Sequence, residues 1–129
     1  MEFFEEIGYP DIDVETLKDR LQIASLPVHC QSIDTVIVDH ADQGEIYCLW
    51  GQFTVSRESI KNGVRFALLS CPHALAWTVA YHASDAKLVV HCTIDDRQES
   101  EEFVQSIEQF VADWAVGLRR ALQDGRIGG

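Results

Sequence analysis

Apolar positions change period twice along this chain, and the changes divide it into helix, sheet and helix. Val14, Leu17, Leu21 and Ala24 recur at the three-to-four spacing of one helical face. Asp11 or Asp13 is placed to cap that helix, Glu15 suits its positive end, and Pro27 is expected to stop it. The shorter apolar and acidic piece from Phe3 to Ile7 reads as a further helical turn.

From Thr35 the period becomes two. Residues 35–39 are a β-branched run, 41–44 (Ala-Asp-Gln-Gly) read as a turn, and 45–56 read as one long strand. Its odd positions (Tyr47, Leu49, Gly51, Phe53, Val55) form one face, and Ile46, Cys48 and Trp50 the other. Asn62-Gly63 has the composition of a hairpin turn. Continuing the odd face would bring Arg57, Ser59 and Lys61 into the core, so a helical turn from Ser56 with Gly63 as its left-handed cap is expected instead. Residues 64–70, 75–82 and 87–94 are further strands. A turn at Ser84-Asp85 sets Trp77 opposite Cys92, Val79 opposite Val90 and Tyr81 opposite Leu88.

The last element has the widest apolar stripe. Val104, Ile107, Val111, Trp114 and Leu118, broadened by Phe103 and Phe110, predict a core-facing helix over 98–123 that starts near Asp95 or Asp96. The pattern amounts to a single α+β domain over 1–124. It has one antiparallel sheet of about five strands, an N-terminal helix and a long amphipathic C-terminal helix packed on the sheet. Residues 125–129 form a flexible tail.

Charge narrows the choice of partner. The 129 residues hold 21 acids against 10 bases, a formal charge of −11, and the bases are scattered, so nucleic acid is not an expected partner. Seven acids fall between Glu2 and Asp19 and seven between Asp95 and Asp113, which suits a solvated surface or steering toward a basic protein. No run of apolar residues is long enough to cross a membrane, and the acidic N-terminus does not resemble a secretory signal. Four cysteines without close spacing read as reduced thiols, so the expected location is cytoplasmic.

The chemistry-bearing residues do not assemble into a known reaction motif. His29-Cys30, Cys71-x-His73 and His91-Cys92 pair histidine with cysteine, but neighbours on a strand point to opposite faces, so no metal site and no cofactor are expected. Cys71 at a strand end, with His73 two residues on, is the best placed thiol for a nucleophile. The serines of Ser56-Arg57-Glu58-Ser59 lack a glycine elbow, and Asp95-Asp96 is explained by capping, so no catalytic residue is assigned. Trp50, with Ile46 and Cys48, and Ala112 and Val116 on the C-terminal helix, form surplus apolar surfaces suited to a protein partner or a homodimer.

In residues 75–122, a hairpin leads through Asp95-Asp96 into Glu102-Phe103-Val104-Gln105-Ser106-Ile107, and this stretch resembles the type III secretion chaperone-like proteins. The chain departs from that family where a helix is expected between the middle strands, because Cys71-Pro72-His73 leaves little room for one. The resemblance implies a dimeric protein-binding role. Two functions are therefore carried forward. The first is a non-catalytic intracellular protein-binding module (adaptor, chaperone or immunity-like) with a basic or apolar partner. The alternative is a small enzyme or ligand-binding domain with a pocket near Cys71, His73 and His91.

Overall fold

The alternating middle of the chain forms one antiparallel sheet, and both helical regions pack on the same side of it. The computed structural model describes residues 1–95, 99–125 and 127. The elements are β1 (Glu2–Gly8), α1 (Val14–Arg20), a 3₁₀ turn (Ile23–Ser25), the one-turn α2 (Leu26–His29), β2 (Ile33–Asp39), β3 (Gln43–Cys48), β4 (Gly51–Ile60), β5 (Gly63–Leu68), β6 (Ala76–His82), β7 (Lys87–Thr93) and α3 (Glu101–Gln123). Among the described residues, seven strands lie in the order β1-β7-β6-β5-β4-β3-β2. From β2 to β7 the sheet is a continuous meander, and β1 adds the N-terminus to the far edge. The α+β class, the antiparallel sheet and the C-terminal helix agree with the sequence. The expected five strands become seven.

The first extra strand is β1, read from the sequence as a helical turn. Phe3 and Ile7 are four apart, a spacing that shares a face in a helix and in a strand alike. The partner decides it: Phe3 pairs with Cys92 and Ile7 with Leu88.

The second comes from the stretch read as one long strand. Leu49 and Trp50 form a two-residue turn there, and Gly51 follows with φ +118, a conformation that side chains disfavour. Such a turn sets even positions against odd ones, so Ile46 pairs with Phe53 and Gly44 with Val55. Ile46 and Cys48 consequently face the core, and Tyr47 faces out.

The helical turn expected after Ser56 is a hairpin instead, with Ser59 opposite Val64 and Ile60 opposite Gly63. Arg57 does reach the helical side of the sheet, and its guanidinium is satisfied there. Nε donates to the Leu21 carbonyl at 2.7 Å and Nη2 to the Lys18 carbonyl at 2.8 Å. These are orphan carbonyls at the C-terminus of α1, where a cation is also favoured by the helix dipole. Gly63 is needed for clearance, since a Cβ would lie 2.0 Å from the Val79 carbonyl oxygen.

The N-terminal helix is capped by Asp13, whose carboxylate accepts from the Thr16 amide at 3.3 Å, but it ends at Arg20. Pro27 does not stop the helical region. It occupies the first turn of α2, where its missing N–H costs nothing. The register of β6 with β7 is as expected, with Trp77 opposite Cys92, Val79 opposite Val90 and Tyr81 opposite Leu88. The C-terminal helix is capped by Ser100, which accepts from the Phe103 amide at 3.1 Å. Asp95 lies before that cap, and Asp96 and residue 98 fall outside the described residues.

One core joins Leu17, Leu21, Ile23 and Leu26 of the N-terminal region to the sheet and to α3. Among the described residues, the remaining face of the sheet therefore carries no helix. The two helical regions meet at Gly117, where a Cβ would lie 1.8 Å from the His29 carbonyl oxygen. Ile127, in the stretch expected to be a flexible tail, is buried in the same core, and Gly128 and Gly129 lie outside the described residues.

Ile107 is fully buried with Trp77, Val79, Tyr81, Val90, Cys92, Val111 and Trp114. Ile107→Ala should therefore lower stability by about 2–5 kcal/mol in urea unfolding. A loss under about 1 kcal/mol would show that α3 does not pack there, since it falls well below that range.

Candidate functional site

The apolar residues assigned to a partner surface are placed in three different settings. Ile46 and Cys48 belong to the core, because the hairpin turn reverses the faces of the strand. Trp50 is half-buried against the protein's own C-terminal helix. Its ring lies 6.0 Å from Phe103 and 5.0 Å from Phe110, and its Nε1 donates to Ser106 Oγ at 2.8 Å. Ala112 is half-buried, and Val116 is 53% exposed. These residues do not form one surface.

The alternative pocket also separates. Cys92 faces inward, so His91 faces out, stacked on Phe4 at 4.3 Å and bonded through Nε2 to Glu2 at 3.0 Å. Cys71 lies in the loop between β5 and β6, half-buried and packed against the core. His73, in the same loop, stacks on Phe103 at 4.1 Å, and its Nδ1 lies 2.9 Å from Glu99 Oε1. The Asp95 amide donates to the His73 carbonyl at 2.9 Å. One donor atom from each of His73, Asp95 and Glu99 lies within 4.8 Å of the others. Sequence spacing conceals this trio, because the potential ligand nearest His73 along the chain is Cys71. The true neighbours come from beyond β7, at the same end of the sheet.

At the opposite end of α3, β1 and the last helical turns border an open cleft of about 490 Å³, lined by Glu6, Ile7, Gly8, Tyr9, Arg119, Leu122 and Gln123. Ile7 and Leu122 are nearly buried and give it an apolar floor. Glu6 is paired with Lys87 Nζ at 3.2 Å. Arg119, exposed on the helix, has no hydrogen-bond or ion-pair partner among the described residues. The space between α3 and the sheet is occupied by the fully buried side chains of Trp77, Trp114, Phe66 and Phe110.

No family model and no curated protein matches the chain. Solved structures do share its fold. An uncharacterised protein of Bacillus thuringiensis superposes with a TM-score of 0.67 at 12% identity, over 95% of this chain and 99% of that one. DynU16, from the dynemicin biosynthetic locus, gives 0.57 at 14% identity over 96% of this chain, which spans 48% of DynU16. A START superfamily protein from Mycobacterium smegmatis gives 0.53 at 11% identity, over 98% and 95%. At such identities the likeness is one of fold alone. Among the described residues no helix is long and apolar enough to cross a membrane.

All four cysteines are unbridged. Burial pushes the Cys30 and Cys92 thiols up to about 12 and also raises Cys48. Buried neutral thiols of this kind are inert. In the native protein a thiol reagent should therefore modify no more than the half-buried Cys71, and all four only after unfolding. The pH dependence has a definite sign. Unfolded thiols ionise near 9, whereas Cys30 and Cys92 stay protonated up to about 12. Their contribution to stability is complete below pH 9 and is lost as the pH rises from 9 toward 12. Urea melts across this range should show a shallower loss in the Cys30→Ala/Cys92→Ala variant. An equal slope would contradict the assignment.

Proposed function

We propose that the protein binds a small amphipathic carboxylate, without transforming it, in the cleft between β1 and the end of α3. The observation that carries this reading is Arg119, a guanidinium without a partner among the described residues, which lines the same cleft as the apolar Ile7 and Leu122. Ligand sites of this size pair apolar walls with a few polar groups that fix orientation, and a guanidinium is suited to a carboxylate.

The overall charge of −11 opposes an anion, but at physiological salt charges beyond about 8 Å are largely screened. The local guanidinium therefore governs the last step of approach. An enclosed ligand between sheet and helix is not favoured, because four large aromatic side chains already fill that space. Ile46 and Cys48 are buried and Trp50 is seated on α3, so these three do not supply a free apolar row for a protein partner. A cytoplasmic location is supported by the four unbridged thiols.

Calorimetric titration with a series of straight-chain and aromatic carboxylates tests the proposal. Decanoate should bind, decanol should bind much more weakly, and Arg119→Glu should weaken decanoate by at least about tenfold, the loss of one charge-assisted contact. Arg119 is exposed, so the variant should fold. The reading fails if no carboxylate of the series binds at millimolar concentration, or if Arg119→Glu leaves the affinity unchanged.

A further inference from the structure

We propose that His73, Asp95 and Glu99 form a binding site for a divalent first-row metal ion, with zinc as the natural probe. This site is separate from the cleft above and does not depend on it. Three donor atoms, one imidazole nitrogen and two carboxylate oxygens, lie within 4.8 Å of one another. Ligands of one zinc ion at bond lengths of about 2.0–2.2 Å stand roughly 3.0–3.6 Å apart, so small side-chain rotations suffice. His73 Nδ1 and Glu99 Oε1 already stand 2.9 Å apart.

The surroundings hold the donors in place. Phe103 lies against the imidazole at 4.1 Å and fixes the ring plane. The Asp95 amide, bonded to the His73 carbonyl at 2.9 Å, ties the two segments together. Glu99 immediately precedes the Ser100 cap, so its backbone is anchored by the start of α3. Its side chain is only 6% exposed, whereas that of His73 is 34% exposed, which leaves one side open to solvent.

The chemistry favours a cation. Two carboxylates this close repel each other. A divalent ion compensates both and accepts the histidine as a neutral ligand. One nitrogen and two carboxylate oxygens suit zinc and its first-row neighbours, and an incomplete set of three leaves a position for water or an anionic group. The ion would pin the loop between β5 and β6 to the beginning of α3. The plain alternative is a His73–Glu99 ion pair with no metal.

The test is calorimetric titration of chelator-stripped protein with zinc chloride, followed by absorption spectra with cobalt(II) in place of zinc. One equivalent should bind with micromolar affinity or better. His73→Gln and Asp95→Asn should each weaken it by at least about tenfold, as loss of a metal ligand or of its support does. Cys71→Ser should bind as the native protein does, and the cobalt complex should show no thiolate charge-transfer band. Circular dichroism without zinc checks that each variant retains α3. Absence of binding at millimolar zinc, a thiolate band, or unchanged affinity in folded His73→Gln and Asp95→Asn variants would overturn the proposal.

Discussion

Everything in this fold depends on how α3 is seated in the sheet. Trp114 projects from the helix against Trp77 of β6 at 6.2 Å and Phe66 of β5 at 6.2 Å, and Phe110 meets Trp77 edge-on at 4.9 Å. Each such side chain removes about 150–250 Å² from water, worth roughly 4–6 kcal/mol before conformational entropy. Seating them has a cost: the indole nitrogens of Trp77 and Trp114 are buried with no acceptor in reach. That costs about 1–3 kcal/mol each, so burial wins. With the grip filled, the two sites proposed above lie at the two ends of α3. One end holds the His73, Asp95 and Glu99 trio; the other holds the cleft beneath Arg119.

The N-terminal helices complete the seat and do not cover the other face of the sheet. Gly117 lets α2 approach α3 to backbone contact, and His29 stacks over Trp114 with ring centres 6.3 Å apart. Ser32 donates to Asp113, joining the start of β2 to the middle of α3. Arg57 joins the far end of β4 to the carbonyls of α1. These are long-range contacts between segments with no local reason to meet.

Where local pattern sufficed, the sequence was legible. The register of β6 and β7 followed from alternation on both sides of a short turn, and α3 followed from a stripe too wide to be anything but core-facing. It was not legible where local rules tie. Phe3 and Ile7 fit a helix or a strand equally, and only β7, more than eighty residues on, decides. The face of Ile46, Cys48 and Trp50 hinged on one turn at Leu49-Trp50, which inverts every side chain before it relative to those after. Arg57 seemed to forbid a hairpin because a buried guanidinium needs acceptors, and those acceptors sit on a helix more than thirty residues away. Among the site residues, Cys92 facing inward already implied that His91 faces outward. His73 was named, but its partners Asp95 and Glu99 reach it only once the meander has brought both loops to the same end.

A grip filled by Trp77, Trp114, Phe66 and Phe110 should exclude ligands from the interior, so that the proposed carboxylate binds at the end of α3. Amide and indole NMR during a decanoate titration tests it most directly. Shifts are expected at Ile7, Gly8, Tyr9, Arg119, Leu122 and Gln123, with the indole N–H signals of Trp77 and Trp114 unmoved. Saturable movement of those two indole signals, with the β1 and α3 amides unchanged, would contradict it.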